Sequence, residues 1–113
     1  MSQYTFDELA ILTAYHLKFY RQHLKKIAFS NHEGWLVSES TQPIPFELAY
    51  AYSIQSALEQ LTEDEQRILI YEYVENRPKN WWMEYFSKTT YYRIKHHAFS
   101  GFIHCLHEEK VVW

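Results

Sequence analysis

The sequence predicts an all-α fold of about five helices, and three observations carry that expectation. Only two glycines (Gly34, Gly101) and three prolines (Pro43, Pro45, Pro78) interrupt 113 residues, which leaves segments longer than those of a turn-rich β fold. Two stretches, Thr5-Phe6-Asp7-Glu8 and Thr62-Glu63-Asp64-Glu65, have the form of a capping box. In that motif the Thr hydroxyl accepts from the amide three residues on, and the Glu side chain accepts from the Thr amide. Apolar residues then recur at helical rather than strand spacing. The length suits one compact domain, or two small helical subdomains sharing a core. Ten Tyr, seven Phe and four Trp supply the bulk that a short chain needs to fill such a core.

The first helix is expected from the Thr5 cap to about residue 28. Leu9, Leu12, His16, Phe19 or Tyr20, and Ile27 form its apolar stripe, with Lys18, Arg21, Lys25 and Lys26 on the other face. Residues 29 to 45 break the pattern. Asn31-His32-Glu33-Gly34 has turn chemistry, Trp35-Leu36-Val37 suits a short extended piece, and Pro43-Ile44-Pro45 forces an extended lead into the next helix. Proline in a first helical turn costs nothing, because that amide has no partner in any helix. The second helix spans about residues 45 to 61, with Tyr50, Ile54, Ala57, Leu58 and Leu61 in one row.

Thr62 caps the third helix, whose three acids complement the positive end of the helix dipole. It runs to about residue 75 and buries Ile68, Leu69, Tyr73, and Ile70 or Val74. Asn76-Arg77-Pro78 ends it, since Asn tolerates the left-handed C-cap and Pro cannot continue the ladder. A short helix of about residues 78 to 86 carries Trp81, Trp82, Tyr85 and Phe86. Ser87 caps the last helix, whose apolar face is Ala98, Phe99, Phe102, Ile103 and Leu106. Gly101 within it marks either a close approach by a neighbour or a bend.

The formal net charge of −3 hides a polarised chain. Residues 77 to 107 hold five Lys/Arg against one acid, Glu84, plus four histidines, whereas residues 1 to 76 hold five Lys/Arg against eleven acids. Distribution, more than the sum, decides what partner a protein attracts. The order of a capped helix, a short helix and a Ser-capped basic helix is the layout of a helix-turn-helix, which points to nucleic acid. In Ser87-Lys88-Thr89-Thr90-Tyr91-Tyr92-Arg93-Ile94-Lys95-His96-His97-Ala98, Tyr91, Ile94 and Ala98 fall on an inward face. Lys88, Thr89, Tyr92, Arg93 and His96 fall largely on the outward one. Arg93 suits bidentate reading of guanine; Lys88, Lys95 and Thr89 suit phosphates, and the free amides at the helix start add an anion-binding end. Arg77 and Lys79, just ahead of the short helix, complete the expected DNA-binding set.

Leu61-Thr62-Glu63-Asp64-Glu65-Gln66-Arg67-Ile68-Leu69, then Tyr73, then Ser87-Lys88-Thr89-Thr90-Tyr91 and Ala98, resembles the DNA-binding region four of bacterial sigma factors. The Ser-x-x-Thr-Tyr-Tyr-Arg-x-Lys-x-x-Ala wording from Ser87 to Ala98 is more similar to ArpU-type phage transcriptional regulators of Gram-positive bacteria. It also resembles small sigma-like proteins of lactobacilli and mollicutes. The resemblance covers about residues 61 to 106. It implies a helix-turn-helix with residues 87 to 97 in the major groove, and a role in transcription regulation. The family's Ile-Ala-Glu-x-Leu-Gly-Ile-Ser turn is replaced here by Trp81-Trp82-Met83-Glu84-Tyr85-Phe86-Ser87, one residue shorter and without the glycine. The first 60 residues carry no such likeness and leave no room for the promoter-melting region two, so a regulator or accessory factor is implied rather than a full sigma factor. The expected organisation is an N-terminal helical subdomain of unassigned role, residues 1 to 60, and a helix-turn-helix DNA-binding region, residues 61 to 113.

Other constellations are weaker. His96, His97, His104, Cys105 and His107 cluster near the end but lack paired metal-ligand spacing, so neither a metal nor any other cofactor is expected. Trp81-Trp82 could stack on bases, but is read instead as one core side chain and one covering a seam with the N-terminal helices. No phosphate loop, Ser elbow or nucleophile motif is present, so no enzyme is expected. The single Cys105 excludes an internal disulfide, the N-terminus lacks signal-peptide form, and no apolar stretch approaches bilayer length. A soluble, cytoplasmic protein binding double-stranded DNA is the leading expectation. The alternative is a module that docks on RNA polymerase or a regulator without touching DNA. A homodimer is a third candidate, because small helix-turn-helix proteins commonly bind paired half-sites.

Overall fold

The computed structural model describes residues 4–32 and 45–108. The fold is all-α: α1 is Phe6–His32, α2 Pro45–Glu59, α3 Glu63–Leu69 and α4 Lys88–Glu108, with a π-helical turn at Ile70–Val74 and a 3₁₀ turn at Trp81–Glu84. No strand occurs among the described residues. No helix among them is long and apolar enough to cross a membrane.

The capping box at Thr5 forms as the sequence predicts. The Thr5 amide donates to Glu8 Oε1 at 2.8 Å, and the Glu8 amide to Thr5 Oγ1 at 3.2 Å. α1 then continues to His32, past the expected stop, so Asn31 and His32 are helical rather than part of a turn. The extended piece expected at residues 35 to 37 and the lead at 43 and 44 lie outside the described residues. The buried face of α1 is Leu9, Thr13, Leu17 and His23. The predicted stripe through Leu12, His16 and Phe19 flanks that row and is half-buried, while Ile27 is 37 % exposed. The error comes from scoring apolarity alone: Thr13 and His23 occupy core positions that a hydrophobicity pattern passes over.

α2 buries Tyr50, Ala51, Ser53, Ile54, Ala57 and Leu58. It ends two residues before the predicted boundary, in a tightened turn where the Leu61 amide donates to the Leu58 carbonyl at 3.1 Å. Thr62 restarts the chain as a helix: its hydroxyl accepts from the Glu65 amide (3.2 Å), and Glu65 accepts from the Thr62 amide (3.0 Å). The acids of the first turn also hold Arg67, which reaches Asp64 at 2.9 Å and Glu63 at 3.3 Å.

α3 gives way to the π turn at Ile70, so the helix expected to reach residue 75 loses its regular ladder over its second half. Ile68 and Leu69 are fully buried, whereas Ile70, Tyr73 and Val74 are half-buried. Asn76 ends the segment in the left-handed region, φ 55°, as its side chain allows. The expected short helix is only a 3₁₀ turn, four residues long. Asn80 supplies no side-chain cap bond, and the turn is held by short-range backbone bonds, from the Trp81 amide to the Pro78 carbonyl (3.1 Å) and from the Met83 amide to the Asn80 carbonyl (3.1 Å), together with the packing of its aromatic side chains.

α4 is the central element, packed on α1, α2 and α3. Ala98, Phe99, Phe102, Ile103 and Leu106 meet Leu9 and Leu17 of α1, Tyr50 and Ile54 of α2, and Leu69 of α3 in one continuous core. Phe99 and Phe102 have no accessible surface, and each contributes about 1.5–3 kcal/mol through its burial. Residues 1 to 60 and 61 to 113 therefore share this core. A second, smaller cluster of Ile68, Trp81 and Tyr91, flanked by Tyr71, Trp82, Phe86 and Ile94, joins the 3₁₀ turn to the start of α4. Gly101 is a close-approach glycine: a Cβ there would stand 3.0 Å from Leu61 Cδ2, and α4 continues through it.

Candidate nucleic-acid interface

The start of α4 is set by Ser87. Its hydroxyl accepts from the Thr90 amide at 3.3 Å and donates to Thr90 Oγ1 at 3.0 Å. From there the helix is two-sided, because successive side chains step by about 100°. Tyr91 and Ala98 are buried and Ile94 is half-buried. Lys88, Thr89, Tyr92, Arg93, His96 and His97 are exposed. Lys88 and Arg93 form no ion pair among the described residues, and the same holds for Lys79, which lies exposed in the turn after Pro78. Tyr92 stands edge-on to Tyr91, with ring centroids 4.9 Å apart. His96 packs edge-on against Phe6 at the start of α1 (5.4 Å) and beside His97 (6.3 Å). α1 thus borders the exposed face of α4.

Two members of the expected set are differently disposed. Lys95 is not a free phosphate ligand: its ammonium lies 3.0 Å from Glu72 Oε1, donates to the Tyr91 hydroxyl at 3.2 Å, and its side chain is 18 % exposed. The reason is its spacing, four residues after Tyr91 and so on the same side of the helix. Arg77 is exposed, but its Nε donates to Glu75 Oε1 at 2.7 Å and its guanidinium lies 3.5 Å over the Tyr71 ring. The hydrogen bond it donates to Glu75 holds its pKa above the ordinary value. Thr62 is a cap far back on α3, as the sequence predicts.

Glu72 is the residue that sequence reading missed. One carboxylate accepts from the Trp81 indole (3.1 Å), from the Tyr91 hydroxyl, and from Lys95. Burial, then the bond to Glu72, drives the Tyr91 phenol well above its usual range. A signal was available: Glu72 follows Ile68 by four residues and Leu69 by three, which sets an acid on a buried helical face. The pairing of Trp81 and Trp82 also differs in part from expectation. Trp81 is a core side chain, but Trp82 stacks on Tyr91 (4.6 Å, 10°), so the seam it covers lies within the C-terminal unit. Between the 72–81 stretch and α4 runs an open groove bordered by Asn76, Arg77, Lys79, Tyr92 and Lys95.

No family model, characterised protein or solved structure matches this chain. The assignment therefore rests on geometry and charge. Among the described residues no three His, Cys, Asp or Glu side chains converge as metal ligands, and His104 and His107 point to solvent. The surface around residues 87 to 96 offers cations, hydroxyls, a phenol and imidazoles, all groups that donate or accept hydrogen bonds at a polyanion.

Proposed function

We propose that this chain binds double-stranded DNA sequence-specifically in transcription control, with the first turns of α4 in the major groove. The observation that carries the reading is a pair of exposed cations without an ion pair among the described residues, Lys88 in the Ser87-capped first turn and Arg93 on the side of the helix away from buried Tyr91 and Ala98. A buried back fixes such a helix to the domain while its front remains free to meet base edges. In this reading Arg93 is the base-reading side chain, Lys88, Thr89 and Lys79 hold phosphates, and Tyr92 and His96 line the contact. The sequence likeness to sigma region four and to ArpU-type phage regulators supports the same role, which would place the protein in the cytoplasm of a Gram-positive bacterium, as its own or its phage's regulator.

Selection of bound sequences from a random duplex pool tests it: a recurring motif is expected, and a pool that stays random at low salt overturns it. Lys88→Ala should weaken all duplexes alike and reduce the slope of log affinity against log salt by about 0.9.

A second reading has its own observation. Ile11 and Tyr15, one helical turn apart on α1, and Tyr52 on α2 are each more than two-thirds exposed. It makes the chain a docking module for RNA polymerase or a regulator, or a homodimer. Capture of a polymerase subunit without duplex binding would favour docking, and concentration-dependent sedimentation would favour the dimer.

A further inference from the structure

We infer that Glu72 is the positioning residue of the α4 reading face, and that it withholds Lys95 from the nucleic acid. The inference rests on the DNA-binding reading for its consequence, but not for its geometry. The Glu72 side chain is 16 % exposed and collects three donors from two other elements: Trp81 from the 3₁₀ turn, and Tyr91 and Lys95 from α4. Tyr91 and Lys95 are also joined to each other, so the carboxylate closes a three-membered polar ring on one side of the helix. At about 100° per residue, Thr89, Arg93 and His96 fall on the side of α4 away from that ring.

Apolar packing resists separation of two elements but permits small rotations, because dispersion contacts are non-directional. Hydrogen bonds to a single carboxylate are directional and fix the rotation of α4 about its axis. That rotation sets where Arg93 points. The short 3₁₀ turn cannot supply this constraint as a full helix would, so the carboxylate supplies it through Trp81. The same ring matches the charge of Lys95, so Lys95 adds no counterion release on binding.

A merely structural role and a positioning role predict different results. Glu72→Met keeps the side-chain length and removes charge and acceptors; Glu72→Gln is the milder variant. If Glu72 positions the helix, either variant should lose at least tenfold in the ratio of affinities for a selected duplex and a random duplex. It should also bind the random duplex with a salt slope steeper by about 0.9, from the released Lys95. Lys95→Gln in the native background should leave the slope unchanged. Loss of affinity for both duplexes in one proportion, with the slope unchanged, overturns the inference, as does a flattened slope in Lys95→Gln. If neither Glu72 variant folds, Lys95→Gln still decides the second half.

A DNA-free arm separates failure of this inference from failure of the proposed function. Hydrogen exchange of the Trp81 indole N–H should quicken at least tenfold in folded Glu72→Met, and unchanged exchange overturns the pinning whatever the DNA result. A wild-type chain that binds no duplex, with exchange behaving as expected, removes the DNA-binding reading and the Lys95 half while the pinning stands.

Discussion

The two ends of the molecule treat buried polar groups in opposite ways. Around α1, Thr13 and His23 are buried, yet the Thr13 hydroxyl and His23 Nδ1 have no hydrogen-bond partner among the described residues. Around Glu72, every polar group that enters the C-terminal cluster is tied: Trp81, Tyr91 and Lys95 all bond to one carboxylate. An unmade bond in a dry site costs about 1–3 kcal/mol, so the first region is held in spite of its polar groups and the second partly by them. The difference teaches where directional bonds matter. The N-terminal half packs mainly by apolar shape, with the His16–Tyr50 bond as its polar tie between helices. Under the proposed function the C-terminal half would have to present one face of a helix in one orientation, which packing alone defines poorly.

Substitutions sharpen or break this contrast. The largest effect should come from the shared core: Phe102→Ala should cost about 3–5 kcal/mol by urea unfolding, because a fully buried ring leaves a cavity against both halves. If the halves instead unfolded in two separate steps, the single core would be disproved. Arg93→Ala should leave stability unchanged and cost about 1–3 kcal/mol on the preferred duplex, with relaxed specificity, as an exposed base-reading side chain requires. Thr13→Val should raise stability by about 1 kcal/mol, since it removes an unpaired buried hydroxyl. A loss there would mean that the α1 region is not shape-held after all.

A smaller effect is expected from pH. The His16 ring bonds to the Tyr50 hydroxyl and meets the rings of Tyr15, Tyr50 and Phe102. Burial first, then the charge of His107, lowers its pKa from 6.5. The folded state then binds fewer protons than the unfolded chain in that window. Stability should be fully present above pH 6.5 and fall as pH drops from there towards the lowered folded value. His16→Gln should flatten this part of the stability profile, which chemical denaturation at several pH values would read. The smallest effect belongs to Gly101→Ala. A gain of about 1 kcal/mol in helix propensity is offset by crowding on Leu61, and a net change below about 1 kcal/mol in thermal unfolding is expected.

Much of the fold was legible because local chemistry wrote it. Both capping boxes, the left-handed Asn76 and the Ser87 cap depend on contacts within a few residues, and each forms where its side chains stand. The outward placing of Thr89 and Arg93 was legible for the same reason, since a helical period and a buried Tyr91 fix it, whereas Lys88 is exposed because it stands in the first turn, ahead of the packed part of the helix. Some misreadings are local, as with Arg77 and its neighbour Glu75, but the most consequential involve distant partners. Lys95 and Arg93 are both cations on α4, and only the approach of Glu72 from a segment 23 residues earlier separates a paired charge from a free one. The shrinkage of the short helix to a 3₁₀ turn follows from aromatic rings that pack across it, and periodicity does not report such contacts.

By itself, then, the amino-acid order determined the helical class, the caps that start α1, α3 and α4, and the side of α4 that carries Thr89 and Arg93. Helix starts and amphipathic faces are short-range consequences of hydrogen bonding and of a fixed angular step. Tertiary structure alone decided that one carboxylate gathers Trp81, Tyr91 and Lys95, that the π turn replaces the end of α3, and that both halves close on Phe99 and Phe102. Those outcomes depend on which distant surfaces meet, and no local rule contains that information.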